Sequence, residues 1–193
     1  MFDILFRYFE RNFKLSASDI SLIETLFLPR TLDKGERIVT EGEIPRYVAF
    51  VCKGILRSYL LDKKGKEHVI QFAAEGWWIS AKPGASEDMP STVSIDAVER
   101  AEVLLLERPG HFQLMEKMPG YATMFLQGMQ KRNEAKEARI VNSLTATAEE
   151  RYHDFLKTYP TLAQRIPLQM LASYLGITSE TVSRIRRKAM LKK

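Results

Sequence analysis

Ser179, Glu180, Ser183, Arg184 and Arg187 stand at positions i, i+1, i+4, i+5 and i+8, a spacing that lines one face of a helix. These residue types can read the edges of base pairs. An arginine donates two hydrogen bonds to O6 and N7 of a guanine, and a glutamate accepts one from N4 of a cytosine. Glu180 and Arg184, one helical turn apart, would therefore define a G·C pair of double-stranded DNA together, with Ser179 and Ser183 adding smaller base contacts. Arg186, Arg187 and Lys188 supply diffuse attraction for phosphate. Gln169 and Thr178 fall at the starts of two helices, where backbone N–H groups already favour an anion.

These side chains need two helices held at a fixed angle, and the segment Pro167–Lys188, PLQMLASYLGITSETVSRIRRK, predicts them. Leu168, Leu171, Ala172 and Leu175 form one apolar stripe behind Pro167. Gly176 follows where a tight turn needs positive φ, and Ile177 plugs the angle. Thr178 caps the second helix, whose Val182 with Ile185 or Ala189 faces inward. An ordinary αα-hairpin with a solvated basic tail is the alternative. Three separate steric demands, met by Ala172, Gly176 and Val182, favour the helix-turn-helix.

Charge is distributed to match. Residues 165–193 carry seven Lys or Arg and one acid, a net of +6, whereas the other 164 residues hold 22 bases and 23 acids. A patch this concentrated suits phosphate, whose neutralisation releases condensed counterions. Membrane association is not expected, because no stretch of eighteen apolar residues occurs and the N-terminal MFDILFRYFERNFK interleaves charges with its aromatics. The expected location is cytoplasmic. The single cysteine, Cys52, lies in the apolar run YVAFVC and reads as core filler, and His68, His111 and His153 have no ligand spacing. Neither a metal, a cofactor nor an enzymatic nucleophile with its base is indicated.

Upstream, Phe2, Leu5, Phe6, Phe9 and Phe13 form one helical stripe and Ile20, Ile23, Leu26 and Phe27 a second, with Ser18–Ser21 as its cap and Pro29 just beyond. From Arg30 to about Glu107 the pattern changes to short β-type runs, separated by Gly35, Gly42, Gly54, Gly65 and Gly76 at intervals of seven to twelve. That spacing predicts an antiparallel barrel or roll, with Asp62–Gly65 as a hairpin loop; a generic β-sandwich fits it nearly as well. After Pro119 the period is helical again. Tyr121, Met124, Phe125, Gly128 and Ala135 fall near heptad positions a and d and suggest a dimer seam, although a core helix packed on the roll also fits. Thr147–Glu150 matches a capping box that opens a further helix. The expected organisation is α+β with two domains: a jelly-roll-type β-roll over 1–118, a dimerisation helix over 119–143, and a winged helix-turn-helix-like domain over 144–193.

This order of parts resembles the Crp/Fnr family of bacterial transcription regulators. The resemblance spans the whole chain and rests on LDKGERIVTEGEIPRYVAFVCKGILRSY in the roll and ASYLGITSETVSRIRRK at the end. It implies a cyclic-nucleotide-binding-type roll, a homodimer on an inverted-repeat operator with TGA-containing half-sites, and RNA polymerase as a further partner. Cyclic-nucleotide binders of the family present Gly-Glu, then Arg followed by Ser or Thr about ten residues later. Here Ile79-Ser80 and Pro90-Ser91 stand at those places. Ser91 or Thr92 can still touch a phosphate oxygen, but Ser80 and Pro90 bring no charge, and Asp88 would repel an anion. The resemblance therefore implies a degenerate pocket, Ser80, Pro90, Ser91 and Thr92, that does not take cAMP unless Arg57, Lys82 or another residue supplies the charge. Trp77 and Trp78 are candidates to line an apolar pocket for an unidentified effector, or to pack in the core.

Overall fold

The computed structural model describes residues 1–81 and 89–190. The chain divides into two compact units, Met1–Leu60 with Gln71–Gln130, and Leu61–Ile70 with Lys131–Lys193. This division differs from the boundaries expected after residues 118 and 143, because one long helix runs from the first unit into the second and a β-hairpin groups with the C-terminal helices.

In the first unit, α1 (Phe2–Glu10) and α2 (Ala17–Leu26) precede eight strands, of which only residues within 61–70 fall in the second unit. The cap of α2 is Ser16 rather than a residue of Ser18–Ser21: its hydroxyl accepts from the Asp19 amide at 3.2 Å, while the Asp19 carboxylate accepts from the Ser16 amide at 2.9 Å. The strands are β1 (Phe27–Leu32), β2 (Arg37–Val39), β3 (Tyr47–Lys53), β4 (Leu56–Leu61), β5 (Glu67–Ala73), β6 (Trp78–Ile79), β7 (Ser94–Ala97) and β8 (Ala101–Glu107). They form two four-stranded sheets, ordered β1-β8-β3-β6 and β2-β7-β4-β5. Phe27 and Pro29, expected at and beyond the end of α2, belong to β1. Proline is tolerated there because β1 is an outer strand.

Alternation along the strands separates two cores. On one face of the first sheet, Phe27, Phe50, Cys52, Leu104 and Leu106 pack with Leu5 and Phe9 of α1, Ile23 of α2, and helices that follow β8. Ala49, Val51, Val103 and Leu105 face the other way and join Leu56, Ile95 and Ala97 of the second sheet in a core between the layers. Each large side chain fully buried in this way contributes about 1.5–3 kcal/mol. At the turn between β3 and β4, Gly54 has φ +89°, and a Cβ there would lie 2.7 Å from the Arg100 carbonyl oxygen, so no other residue fits without backbone displacement.

Two helices follow β8. Helix α3 (Arg108–Lys117) has a proline in its first turn, and α4 runs from Pro119 to Thr145. Tyr121 and Met124 of α4 are buried in the helix-facing core, Tyr121 meeting Phe9 edge-on at 5.8 Å between ring centroids. Those two side chains therefore cannot serve a dimer seam, as their heptad positions suggested. Phe125 and Gly128 are half-buried and Ala135 is exposed.

In the second unit are α5 (Ala148–Thr158), α6 (Leu162–Arg165), α7 (Leu168–Leu175) and α8 (Ser179–Met190); α5, α7 and α8 pack together, and Tyr152, Phe155, Leu162, Ile166, Leu171, Leu175, Val182 and Ile185 are buried. The capping box opening α5 is present: Thr147 accepts from the Glu150 amide at 3.3 Å and the Glu150 carboxylate from the Thr147 amide at 2.8 Å. The Thr147 amide, and then the Thr147 hydroxyl donating to the same carboxylate at 2.8 Å, hold the Glu150 carboxyl below its ordinary range. Among the described residues this region is helical throughout, so the strands of the expected wing are not seen.

Candidate DNA-binding surface

The turn between α7 and α8 is built as its sequence suggests. Gly176 ends α7 with φ 66° and ψ 35°. Its amide donates to the Ser173 carbonyl at 3.2 Å, and the Ile177 amide donates to the Ala172 carbonyl at 3.0 Å, a Schellman arrangement that satisfies two end carbonyls. Thr178 then caps α8, accepting from the Thr181 amide at 3.2 Å. α8 packs on α7, with Val182 and Ile185 buried on the one and Leu171, Ala172 and Leu175 on the other. That packing fixes which face of α8 turns outward. Glu180, Ser183, Arg184 and Arg187 are exposed on it, and Ser179 is half-buried.

The candidate phosphate-binding residues divide into two groups. Gln169, Thr178 and Arg187 are exposed. Arg186 is half-buried, with its Nε donating to the Tyr152 hydroxyl at 3.0 Å and its guanidinium 5.9 Å from the centre of that ring. Lys188 pairs with Glu149 at 2.9 Å, a largely exposed contact worth about 0–1 kcal/mol that competition from phosphate can replace. Two of the three expected phosphate cations thus also tie α8 to α5. Tyr152 and Glu149 lie more than thirty residues from their partners, and no local pattern pointed to them.

The degenerate pocket residues are placed separately. Ser80 follows β6, and Pro90 and Thr92 are exposed. Ser91 is buried, and its hydroxyl is engaged locally, donating to the Val93 carbonyl at 2.6 Å and accepting from the Val93 amide at 3.1 Å. Lys82 and Asp88 lie outside the described residues. Arg57 does not provide a charge between the sheets. Its β4 neighbour Leu56 and the opposing Ala97 belong to the interlayer core, so Arg57 and its cross-strand partner Asp96 project from the other face. There they form a buried bidentate pair, Nε to Oδ1 at 2.8 Å and Nη2 to Oδ2 at 2.9 Å, with the guanidinium 4.2 Å from the Tyr59 ring centre. Trp78 is packed against Tyr8, Phe9, Phe27 and Phe50, which is core duty; Trp77 remains 38% exposed.

Burial raises the Cys52 thiol to about 11, which keeps it protonated and unreactive near neutrality. No group of three or more His, Cys, Asp or Glu among the described residues could hold a metal ion.

Known proteins share this architecture. Residues 29–118 match the cyclic nucleotide-binding domain. The chain is 26% identical over 183 residues to the transcriptional activator protein Anr of Pseudomonas aeruginosa, covering 89% of this chain and 74% of that one. Among solved structures, FixK2 from Bradyrhizobium japonicum superposes with a TM-score of 0.76 at 22% identity, covering 86% of each chain. A Crp/Fnr-family transcriptional regulator from Eubacterium rectale gives 0.69 at 18% identity, covering 92% of this chain and 85% of that one. Along nearly its whole length the chain is similar to these regulators, and its residues 29–118 match the cyclic nucleotide-binding domain.

Proposed function

We propose that the protein is a sequence-specific DNA-binding transcription regulator and not an enzyme, acting in the cytoplasm as a homodimer on an inverted repeat. The observation that carries this reading is the outward face of α8, where Glu180, Ser183, Arg184 and Arg187 are exposed on a helix fixed by the Gly176 turn. Glu180 and Arg184 read one G·C pair, Ser179 and Ser183 add base contacts, and Gln169, Thr178, Arg186, Arg187 and Lys188 meet phosphates. Lys188 does so by exchanging Glu149 for the DNA backbone. No helix among the described residues is long and apolar enough to cross a membrane.

The dimer seam belongs further along α4 than its heptads suggested. Ile140, Val141 and Leu144 are exposed there, as is Leu126 nearer its start, Leu144 at 81%. A row of large apolar side chains on one helix is what a second copy of that helix would cover. It would set two recognition helices about 34 Å apart, one turn of B-DNA. RNA polymerase is a further proposed partner. Cyclic AMP is not the signal in this reading: Ser80, Pro90, Ser91 and Thr92 carry no charge, and Arg57 is neutralised by Asp96.

One experiment addresses these points together. DNA sites are selected from a random pool with the purified protein, with and without cAMP, and the complexes are sized. We expect a palindromic site bound by two chains regardless of cAMP, and a loss of about 1–3 kcal/mol at one base pair in Arg184→Ala. Unchanged binding by that variant removes the base-reading assignment, and binding that requires cAMP removes the degenerate-pocket reading.

A further inference from the structure

We propose that α5 acts with opposite sign on two cations of α8: Tyr152 is a positioning residue that presents Arg186 to DNA phosphate, and Glu149 is an internal competitor that withholds Lys188 from it. This rests on the DNA-binding reading above. Glu149 and Tyr152 are three residues apart near the start of α5, a spacing that lets both face one neighbouring helix. That helix is α8, which packs on α5. Arg186 and Lys188 are separated by about 200° around the helix axis, so they leave the buried stripe of Val182 and Ile185 on opposite sides. α5 holds both flanks: Arg186 Nε donates to the Tyr152 hydroxyl at 3.0 Å, and Lys188 Nζ donates to Glu149 Oε2 at 2.9 Å.

The two contacts differ in chemistry. A phenol hydroxyl is neutral: it engages one of the five N–H donors of a guanidinium and leaves the charge in place. Tyr152 is buried, so its hydroxyl is a fixed point, and Arg186 meets DNA with its orientation settled beforehand, which lowers the ordering cost of a phosphate contact. Glu149 carries a full negative charge. It gives Lys188 the kind of partner that a phosphate oxygen would, and a DNA contact must first break that pair. The carboxylate belongs to the first turn of a helix whose start is fixed by the Thr147–Glu150 capping box, where the helix N-terminus favours negative charge. The two side chains are 57% and 42% exposed, so DNA reaches the pair without any part of the unit unfolding. Both residues act through phosphate contacts. They therefore set affinity for DNA of any sequence and leave the preference among sequences unchanged.

The test measures the affinity of the full chain for its selected site and for random duplex DNA at one low ionic strength. Glu149→Gln should tighten both by the same factor, about fivefold at most, the upper range for an exposed ion pair. Tyr152→Phe keeps the ring and removes the hydroxyl, and should weaken both by about three- to tenfold. Two double-mutant cycles separate these effects from damage to the fold: the Glu149→Gln gain should vanish in Lys188→Ala, and the Tyr152→Phe loss in Arg186→Ala. Asp154→Asn removes the same charge from an exposed position of α5 and should not reproduce the gain. No tightening in Glu149→Gln, a gain that persists without Lys188, or an equal gain in Asp154→Asn overturns the competitor role. A Tyr152→Phe loss that survives in Arg186→Ala, or no loss at all, overturns the positioning role. Glu149→Gln alters a side chain open to solvent, so its arm stands even if Tyr152→Phe does not fold. If the unsubstituted protein binds neither DNA, the DNA-binding reading itself falls, and this inference with it.

Discussion

The β-roll and the helix-turn-helix place their arginines in opposite settings. Arg57 is buried on β4 and closed off by a bidentate carboxylate and an aromatic ring, whereas Arg184 and Arg187 are exposed on α8. A buried guanidinium must find its partner inside the fold, because an unpaired charge there costs far more than the pair gains. An exposed one adds little to folding and leaves its hydrogen-bonding capacity for another molecule. Type alone does not separate the two; the strand or helix that carries the residue does.

Removing one member of the buried pair tests this contrast most severely. Arg57→Ala leaves the Asp96 carboxylate buried without its counter-ion and should cost about 3–5 kcal/mol in denaturant unfolding of the roll. A loss below about 1 kcal/mol would mean that water reaches the site. Next is Leu171→Ala, fully buried in the small helical core, expected to cost about 2–5 kcal/mol. Hydrogen exchange should show the loss in α7 and α8 and leave the β8 amides protected; equal loss in both units would show that they unfold as one. Arg187→Ala should change stability by no more than about 0.5 kcal/mol, yet weaken specific and random DNA alike and lower the salt slope by about one. Loss confined to the selected site would mark Arg187 as a base reader.

The smallest effect concerns the hairpin tip and depends on pH. Asp62 accepts from the Lys64 and Lys66 amides at 2.8 and 3.0 Å and contacts His68 at 2.9 Å. The His68 hydrogen bond chiefly, and then the two amides, hold its carboxyl near pKa 2 against the ordinary 3.8. A depressed carboxyl stabilises the fold above its ordinary value and loses that contribution as pH falls through the folded one. The Lys64 and Lys66 amide resonances should therefore shift with a midpoint near 2. A midpoint near 3.8 would show the turn bonds to be absent in solution.

Local chemistry was well written into the residue order. The Gly176 turn, the Thr178 cap and the Thr147–Glu150 capping box all depend on residues within five positions of each other, and all appear as read. Partners chosen by tertiary packing were not legible. Nothing in a heptad distinguishes Tyr121, drawn into the chain's own core, from Leu144, left exposed on the same helix. Arg57 and Asp96 are 39 residues apart, and Ser173 is 104 residues from Val69; such pairs follow from strand register and helix placement. Helix α3 has no counterpart in the expected elements; Pro109 in its first turn is well suited to a helix start.

Ionic strength acts on the reading helix twice. α8 carries Glu180 in its first turn and Arg187 and Lys188 in its last, the arrangement that complements the partial positive charge at a helix N-terminus and the negative one at its C-terminus. Salt screens that complement at the same time as it refills the counterion atmosphere of DNA. A salt titration of binding therefore reports two processes, loosening of the helix and release of phosphate contacts. The slope should exceed the number of phosphates touched, and the excess should disappear when helix content is held constant by an added helix-stabilising cosolvent.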